Sequence, residues 1–183
     1  MRFRVSAVLF FTAFLSSMAY AEPVMPPPSN YETDIMAIGE YKKFLSVKLG
    51  DDWEKVKALF GGEVEENKIG KPFREKGKKY NTKGWTTIHF QVEDGKVYYK
   101  SSGGVAMKFK AEVTKEHFDL LKKGMTYDEL KAILGEGILV SEWVWPDGSR
   151  VVQQYEWRAK NRRSYINIGM TNGKADAIQK SGM

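Results

Sequence analysis

Phe118-Asp-Leu-Leu-Lys-Lys-Gly124-Met-Thr-Tyr-Asp-Glu-Leu-Lys-Ala-Ile-Leu134-Gly135 is a unit that this chain contains twice. Its plan recurs 74 positions earlier as Phe44-Leu-Ser-Val-Lys-Leu-Gly50-Asp-Asp-Trp-Glu-Lys-Val-Lys-Ala-Leu-Phe60-Gly61, identical at Phe44, Lys48, Gly50, Lys57, Ala58 and Gly61. In the second copy Thr126 caps a helix whose third residue is Glu129, a capping box, with Met125 and Leu130 placed to staple across it. Apolar residues follow at Tyr127, Leu130, Ile133 and Leu134, one face of a 3.6-residue period, and Gly135 is placed to end the helix in a left-handed conformation. The first copy sets Trp53, Val56, Leu59 and Phe60 on the same face. There Asp52 can cap, but Lys55 stands where the box needs a glutamate. Gly50 and Gly124 read as turns between two short helices, the first of each pair ending near Lys48 and Lys122. The earlier pair opens on the apolar pattern Ile35, Ile38, Tyr41, Phe44, Leu45.

Each helical pair is followed by strand patterns. Ile88, Phe90 and Val92 alternate with Thr87, His89 and Gln91, the mark of a half-buried strand, and Asp94-Gly95 turns the chain into a strand from Lys96 to Lys100. A strand or two falls within the polar segment from Gly61 to Gly84. The alternation Val105, Met107, Phe109, Ala111 predicts a further strand leading into the second repeat. Later strands are expected near Leu139 to Trp145, Arg150 to Arg158, Ser164 to Met170 and Lys174 to Gln179, with turns at Pro146-Asp147-Gly148, Ala159 to Arg163 and Asn172-Gly173. Ile166, Ile168 and Met170 lie 78 positions after Ile88, Phe90 and Val92, so one strand faces one core in both copies. The fold class is therefore α+β, a tandem repeat of a short helical pair packed on one face of an antiparallel sheet. We divide the chain into a signal peptide (1–21), a proline-rich linker (22–33), a first repeat (34–104) and a second repeat (105–183).

The leader reading rests on Arg2 and Arg4 before an apolar run from Val5 to Leu15, closed by Ala19-Tyr20-Ala21 as a small-residue cleavage pattern. Cleavage near Ala21 implies a periplasmic or extracellular protein, and no later run is long enough to span a bilayer. Pro23, Pro26, Pro27 and Pro28 make an extended lead-in. The 183 residues include no cysteine, which excludes disulfide staples, a lipid-bearing cysteine and thiolate chemistry. The formal charge of +6 falls to +4 once Arg2 and Arg4 are removed, a mildly basic chain.

The residues Gly124-Met125-Thr126, Leu130, Leu134-Gly135, Tyr155, Trp157, Ile166, Ile168 and Asn172-Gly173-Lys174 form a pattern that resembles the repeat of β-lactamase inhibitory protein. It is also similar to the small SmpA/OmlA lipoproteins of outer-membrane barrel assembly. The resemblance spans residues 34 to 180 and implies helices on one sheet face, twice, with the other face left free to bind protein. The chain departs from both: the inhibitor has disulfides that cannot form here, and the assembly lipoproteins have one repeat and a lipidated cysteine.

No constellation identifies a reaction, and we expect no enzyme, no cofactor and no metal. His89 and His117 are the only histidines, and neither has metal-ligand spacing. The adjacent pairs Asp51-Asp52, Glu65-Glu66 and Asp128-Glu129 do not converge as an acid and a base must. The candidate partner-binding residues are Trp85, His89, Trp143, Trp145, Tyr165 and Asn167, polar or aromatic residues facing away from the inferred core. For Trp143 and Trp145 the pattern leaves open whether they point outward or into the core; Trp157, which shares a face with Val151 and Tyr155, belongs in the core. A second candidate surface for anionic envelope material is basic: the loop 68–83, and the hairpin residues Arg158, Lys160, Arg162 and Arg163. The expectation is a non-catalytic module holding another envelope or extracellular protein, as inhibitor or assembly accessory, with no nucleic acid as partner.

Overall fold

In the computed structural model, residues 35–61, 65–67, 77–81, 87–107 and 109–183 are described. The leader, the proline-rich lead-in and most of the basic loop 68–83, like Trp85, lie outside these residues. The chain runs α1 (Ile35–Ser46), α2 (Trp53–Phe60), β1 (Glu65–Asn67), β2 (Gly77–Asn81), β3 (Thr87–Glu93) and β4 (Lys96–Gly103). A 3₁₀ turn at Val105–Met107 leads to α3 (Lys115–Asp119), α4 (Tyr127–Leu134), β5 (Ile138–Val144), β6 (Val151–Arg158), β7 (Tyr165–Thr171) and β8 (Lys174–Ser181). All eight strands form one antiparallel meander in chain order. The two repeats thus share a single sheet, joined where Tyr99 faces Trp143 and Lys100 faces Glu142.

The repeat is visible in the backbone. Gly50 and Gly124 both take φ 88°, a conformation open to glycine and strained for other residues. Each then ties its turn to the hairpin of its own repeat. Gly50 N–H donates to Val97 O at 2.7 Å, and Gly124 N–H donates to Ala175 O at 2.7 Å. The return bonds, Val97 N–H to Asp51 O and Ala175 N–H to Met125 O, are 3.0 and 2.8 Å. Asp94-Gly95 and Asn172-Gly173 are hairpin turns with positive φ at both residues. Both hairpins then slip by one residue, between Gln91 and Val92 in one and between Gly169 and Met170 in the other.

Two cores lie under the helices. One gathers Phe44, Val47, Trp53, Val56, Phe60, Ile88 and Phe90, with Ile138 and Leu139 contributed by the second repeat. The other gathers Leu130, Leu134, Trp157, Ile166, Ile168 and Met170. Trp157 is fully buried, and its indole N–H donates to Gly135 O at 3.0 Å. Thr126 and Glu129 form the expected capping box, with Thr126 N–H donating to Glu129 Oε2 at 2.7 Å and Glu129 N–H to Thr126 Oγ1 at 3.3 Å.

Several expectations are corrected. Asp52 occupies the cap position but makes no capping bond; its carboxylate accepts instead from Lys96 Nζ at 2.6 Å. Gly135 has a positive φ but an extended ψ of −168°, whereas Gly61 is left-handed. The first helices stop at Ser46 and Asp119, earlier than Lys48 and Lys122. Leu59 leaves the core face and is exposed. The described residues of the expected strand Val105 to Ala111 form none: Val105 and Ala106 are consecutively buried in the 3₁₀ turn, Met107 is exposed, and Ala111 makes only an isolated bridge to Ala159. A single bridge at Ala111 does not impose a pleat on the residues before it, so their apolar side chains fill space without alternating.

Lys100 closes the seam between repeats. It is 2% exposed, yet its ammonium is fully engaged. It donates to Val47 O at 2.6 Å and Phe44 O at 3.4 Å, pairs with Glu142 at 3.1 Å, and lies 4.8 Å from the Phe44 ring centroid. A cation at the end of α1 meets the free carbonyls there.

Candidate functional site

The helices cover the face that carries Ile88, Phe90, Trp157 and Ile168. Side chains of opposite parity stand on the other face, where the 3₁₀ turn brings Ala106 and Met107 to one edge. At its centre, β4 and β5 set Tyr99 opposite Trp143, ring centroids 6.3 Å apart. His89 joins this cluster through an edge contact with Tyr99 at 5.9 Å. Trp145, just beyond β5, is 45% exposed and carries the Arg150 guanidinium 5.2 Å from its ring centroid. Tyr98 donates to Gln91 Oε1 at 2.5 Å, and Ser141 to Gln154 Oε1 at 3.1 Å.

These residues enclose a groove of about 420 Å³ lined by Tyr98, Tyr99, Trp143, Trp145, Pro146 and Gln154, among others. A second hollow of about 320 Å³ shares Tyr99, Ser141 and Gln154 with it and runs on to Glu156 and Arg158. The face is thus aromatic at one end and hydrogen-bonding at the other. At the hydrogen-bonding end the charges cancel, because Arg158 Nε donates to Glu156 Oε1 at 2.6 Å.

Of the six expected partner-binding residues, Trp85 lies outside the described ones. His89, Trp143 and Trp145 come together around Tyr99. Asn167 and Tyr165 sit on the same face but on β7, opposite Glu156 and Arg158, about 14 Å from β4 at the usual strand spacing. His89 and Asn167 hold equivalent places in the two repeats, facing Ser101 and Gln179. His117 is buried in the first turn of α3, where its N–H donates to Thr114.

The basic hairpin divides. Arg158 is held by Glu156, donates to Arg162 O at 3.0 Å and lies 4.7 Å from the Tyr165 ring centroid. Lys160 pairs with Glu112 at 3.7 Å. Arg162 and Arg163 are exposed at the turn.

Sequence reasoning missed Tyr99 and Lys100. A two-residue turn at Asp94-Gly95 without a bulge pairs Phe90 with Tyr99 and sends Tyr99 to the core. The bulge pairs Phe90 with Lys100 instead, and one residue of slip exchanges the faces of everything beyond it. Two adjacent tyrosines in a strand were the available signal.

Two helical pairs on one side of a shared sheet, with an aromatic groove on the bare side, define a class of two-repeat α+β proteins whose free face is shaped for contact. The chain belongs to the beta-lactamase inhibitor (BLIP) family, whose model matches residues 40–157. It matches no curated protein. Among solved structures it is similar to a Streptococcus mutans protein described as a candidate beta-lactamase inhibitor protein, at 20% identity and a TM-score of 0.62, over 82% of this chain and 98% of that one. At that identity the likeness shows the fold. The similarity to the SmpA/OmlA repeat rests on the motif residues alone. No helix among the described residues is long and apolar enough to cross a membrane.

Proposed function

We propose that this chain is an exported, non-catalytic inhibitor module that holds an extracellular or periplasmic enzyme against its bare sheet face. The partner class that the family name supplies is a β-lactamase. The observation that carries the reading is the 420 Å³ groove in which Tyr99, Trp143 and Trp145 stand together on the sheet face opposite the helical pairs. Half-exposed aromatics in a concave site bury large area with few rotamers to freeze, which is why such residues dominate interface energetics. No charged residue among the described ones lines the groove, and Glu156 and Arg158 beyond it are paired, so the contact is driven by burial rather than steering.

The test is a titration of the purified chain against a panel of β-lactamases, following hydrolysis of a chromogenic cephalosporin. Saturable inhibition of at least one enzyme, weakened roughly 30-fold or more by Trp143→Ala, is expected for an anchor worth about 2 kcal/mol. Substitution of Lys57, on the helix side, leaves it unchanged. Inhibition that survives Trp143→Ala and Trp145→Ala together would place the contact elsewhere, and inhibition of no enzyme in the panel would remove β-lactamases as the partner class.

A further inference from the structure

We propose that the cleft between the two helical pairs, on the opposite side of the sheet from the aromatic groove, binds a small organic cation of the trimethylammonium class. The cleft holds about 300 Å³, at the small end of ligand sites and sized for a head group. Tyr41 of α1, Phe109 of the connecting segment, Tyr127 of α4 and Tyr155 of β6 line it, with Leu45 and Glu136 at its edge. Tyr41 and Phe109 stand 5.7 Å apart between centroids, tilted at 56°. Tyr127 and Tyr155 stand 4.6 Å apart, tilted at 33°.

Two of the three tyrosine hydroxyls of this lining are already committed. Tyr41 Oη accepts from Leu139 N–H at 2.7 Å. Tyr127 Oη accepts from Gly137 N–H at 3.1 Å and donates to Glu136 Oε1 at 2.8 Å. Burial pushes the Tyr155 phenol up to about 12 and raises that of Tyr127 as well, so both rings stay neutral. The cleft therefore offers chiefly π systems and one carboxylate. Among the described residues that line it, Glu136 alone is charged, and Tyr127 holds that carboxylate in position. Lys131 pairs with Glu136, but both side chains are about half exposed, and such a surface pair is weak enough for a ligand to displace. Several aromatic rings beside one carboxylate are the chemistry that selects a methylated cation. A primary ammonium is disfavoured because it would leave strong hydration behind in an apolar cleft. Tyr41 belongs to the first repeat and Tyr127 and Tyr155 to the second, so an occupant would bridge the two.

Calorimetric titration of the full chain with choline, and with its neutral carbon isostere 3,3-dimethyl-1-butanol, tests the assignment. Saturable choline binding is expected, with the isostere about tenfold weaker or worse and a comparable loss in Glu136→Gln and in Tyr155→Leu. Glu136→Gln alters a surface side chain and keeps the test open if Tyr155→Leu fails to fold. Trp143→Ala, on the other face, leaves choline binding intact. Equal binding of choline and the isostere would make the cleft merely apolar and overturn the proposal. So would absence of choline binding, or binding that persists in both cleft variants.

Discussion

Replacing Lys100 by Met keeps the length of the side chain and removes the charge that closes the seam between repeats. In the folded protein that ammonium serves Val47 O at 2.6 Å, Phe44 O at 3.4 Å and Glu142 at 3.1 Å. Without it Glu142, 16% exposed in its side chain, is left with the Gln153 amide at 2.8 Å, and the carbonyls of Phe44 and Val47 at the C-terminal end of α1 lose their donor. Breaking a buried pair from one side costs about 3–5 kcal/mol, because the remaining charge is desolvated and uncompensated. In a domain of this size that lowers Tm by about 10 °C. Glu142→Leu in the same background removes the stranded carboxylate and should restore about half of the loss; the rest persists because the carbonyls, at about 1 kcal/mol each, stay unpaired. Urea denaturation of wild type, both single variants and the double variant closes the cycle. A loss below about 1 kcal/mol for Lys100→Met, or strict additivity of the pair, would refute the seam argument.

Gly137→Ala should destabilise by about 1–3 kcal/mol through overpacking, since a Cβ there would meet Trp157 Cζ2 at 2.4 Å and Cη2 at 2.8 Å. Trp157→Phe should absorb part of that cost in the double variant, and equal costs in the two backgrounds would remove the clash as its cause. The Glu129 carboxyl is held below its ordinary value of 4.5, first by the Thr126 backbone N–H and then by the Thr126 hydroxyl. A depressed carboxylate contributes stability that is complete above its unfolded pKa and lost as pH falls through the folded one. The stability gap between wild type and Glu129→Gln should accordingly narrow as pH drops below about 4.5; denaturation midpoints separated by the same amount across that range would contradict it.

What the sequence made legible is what local chemistry decides. The Thr126–Glu129 capping box, the Asp94-Gly95 and Asn172-Gly173 hairpins and the buried Trp157 each depend on residues a few positions apart or on strict alternation. Two features failed because distant residues set them. Asp52 abandons its cap for Lys96, 44 positions away, and the bulge before Val92 exchanges the faces of Tyr99 and Lys100. The candidate site was half legible for the same reason. Trp143 and Trp145 were in view, while the tyrosine that joins them to His89 was hidden by a one-residue slip.

The most direct test of the bare sheet face as a binding surface is photo-cross-linking of the chain to a captured β-lactamase. A photoreactive residue stands in turn at Trp143, at Tyr165 and, on the helix side, at Lys57. Cross-links from Trp143 and Tyr165 but none from Lys57 are the predicted result. Cross-links from Lys57 with none from Trp143 would put the partner on the helices and contradict the account.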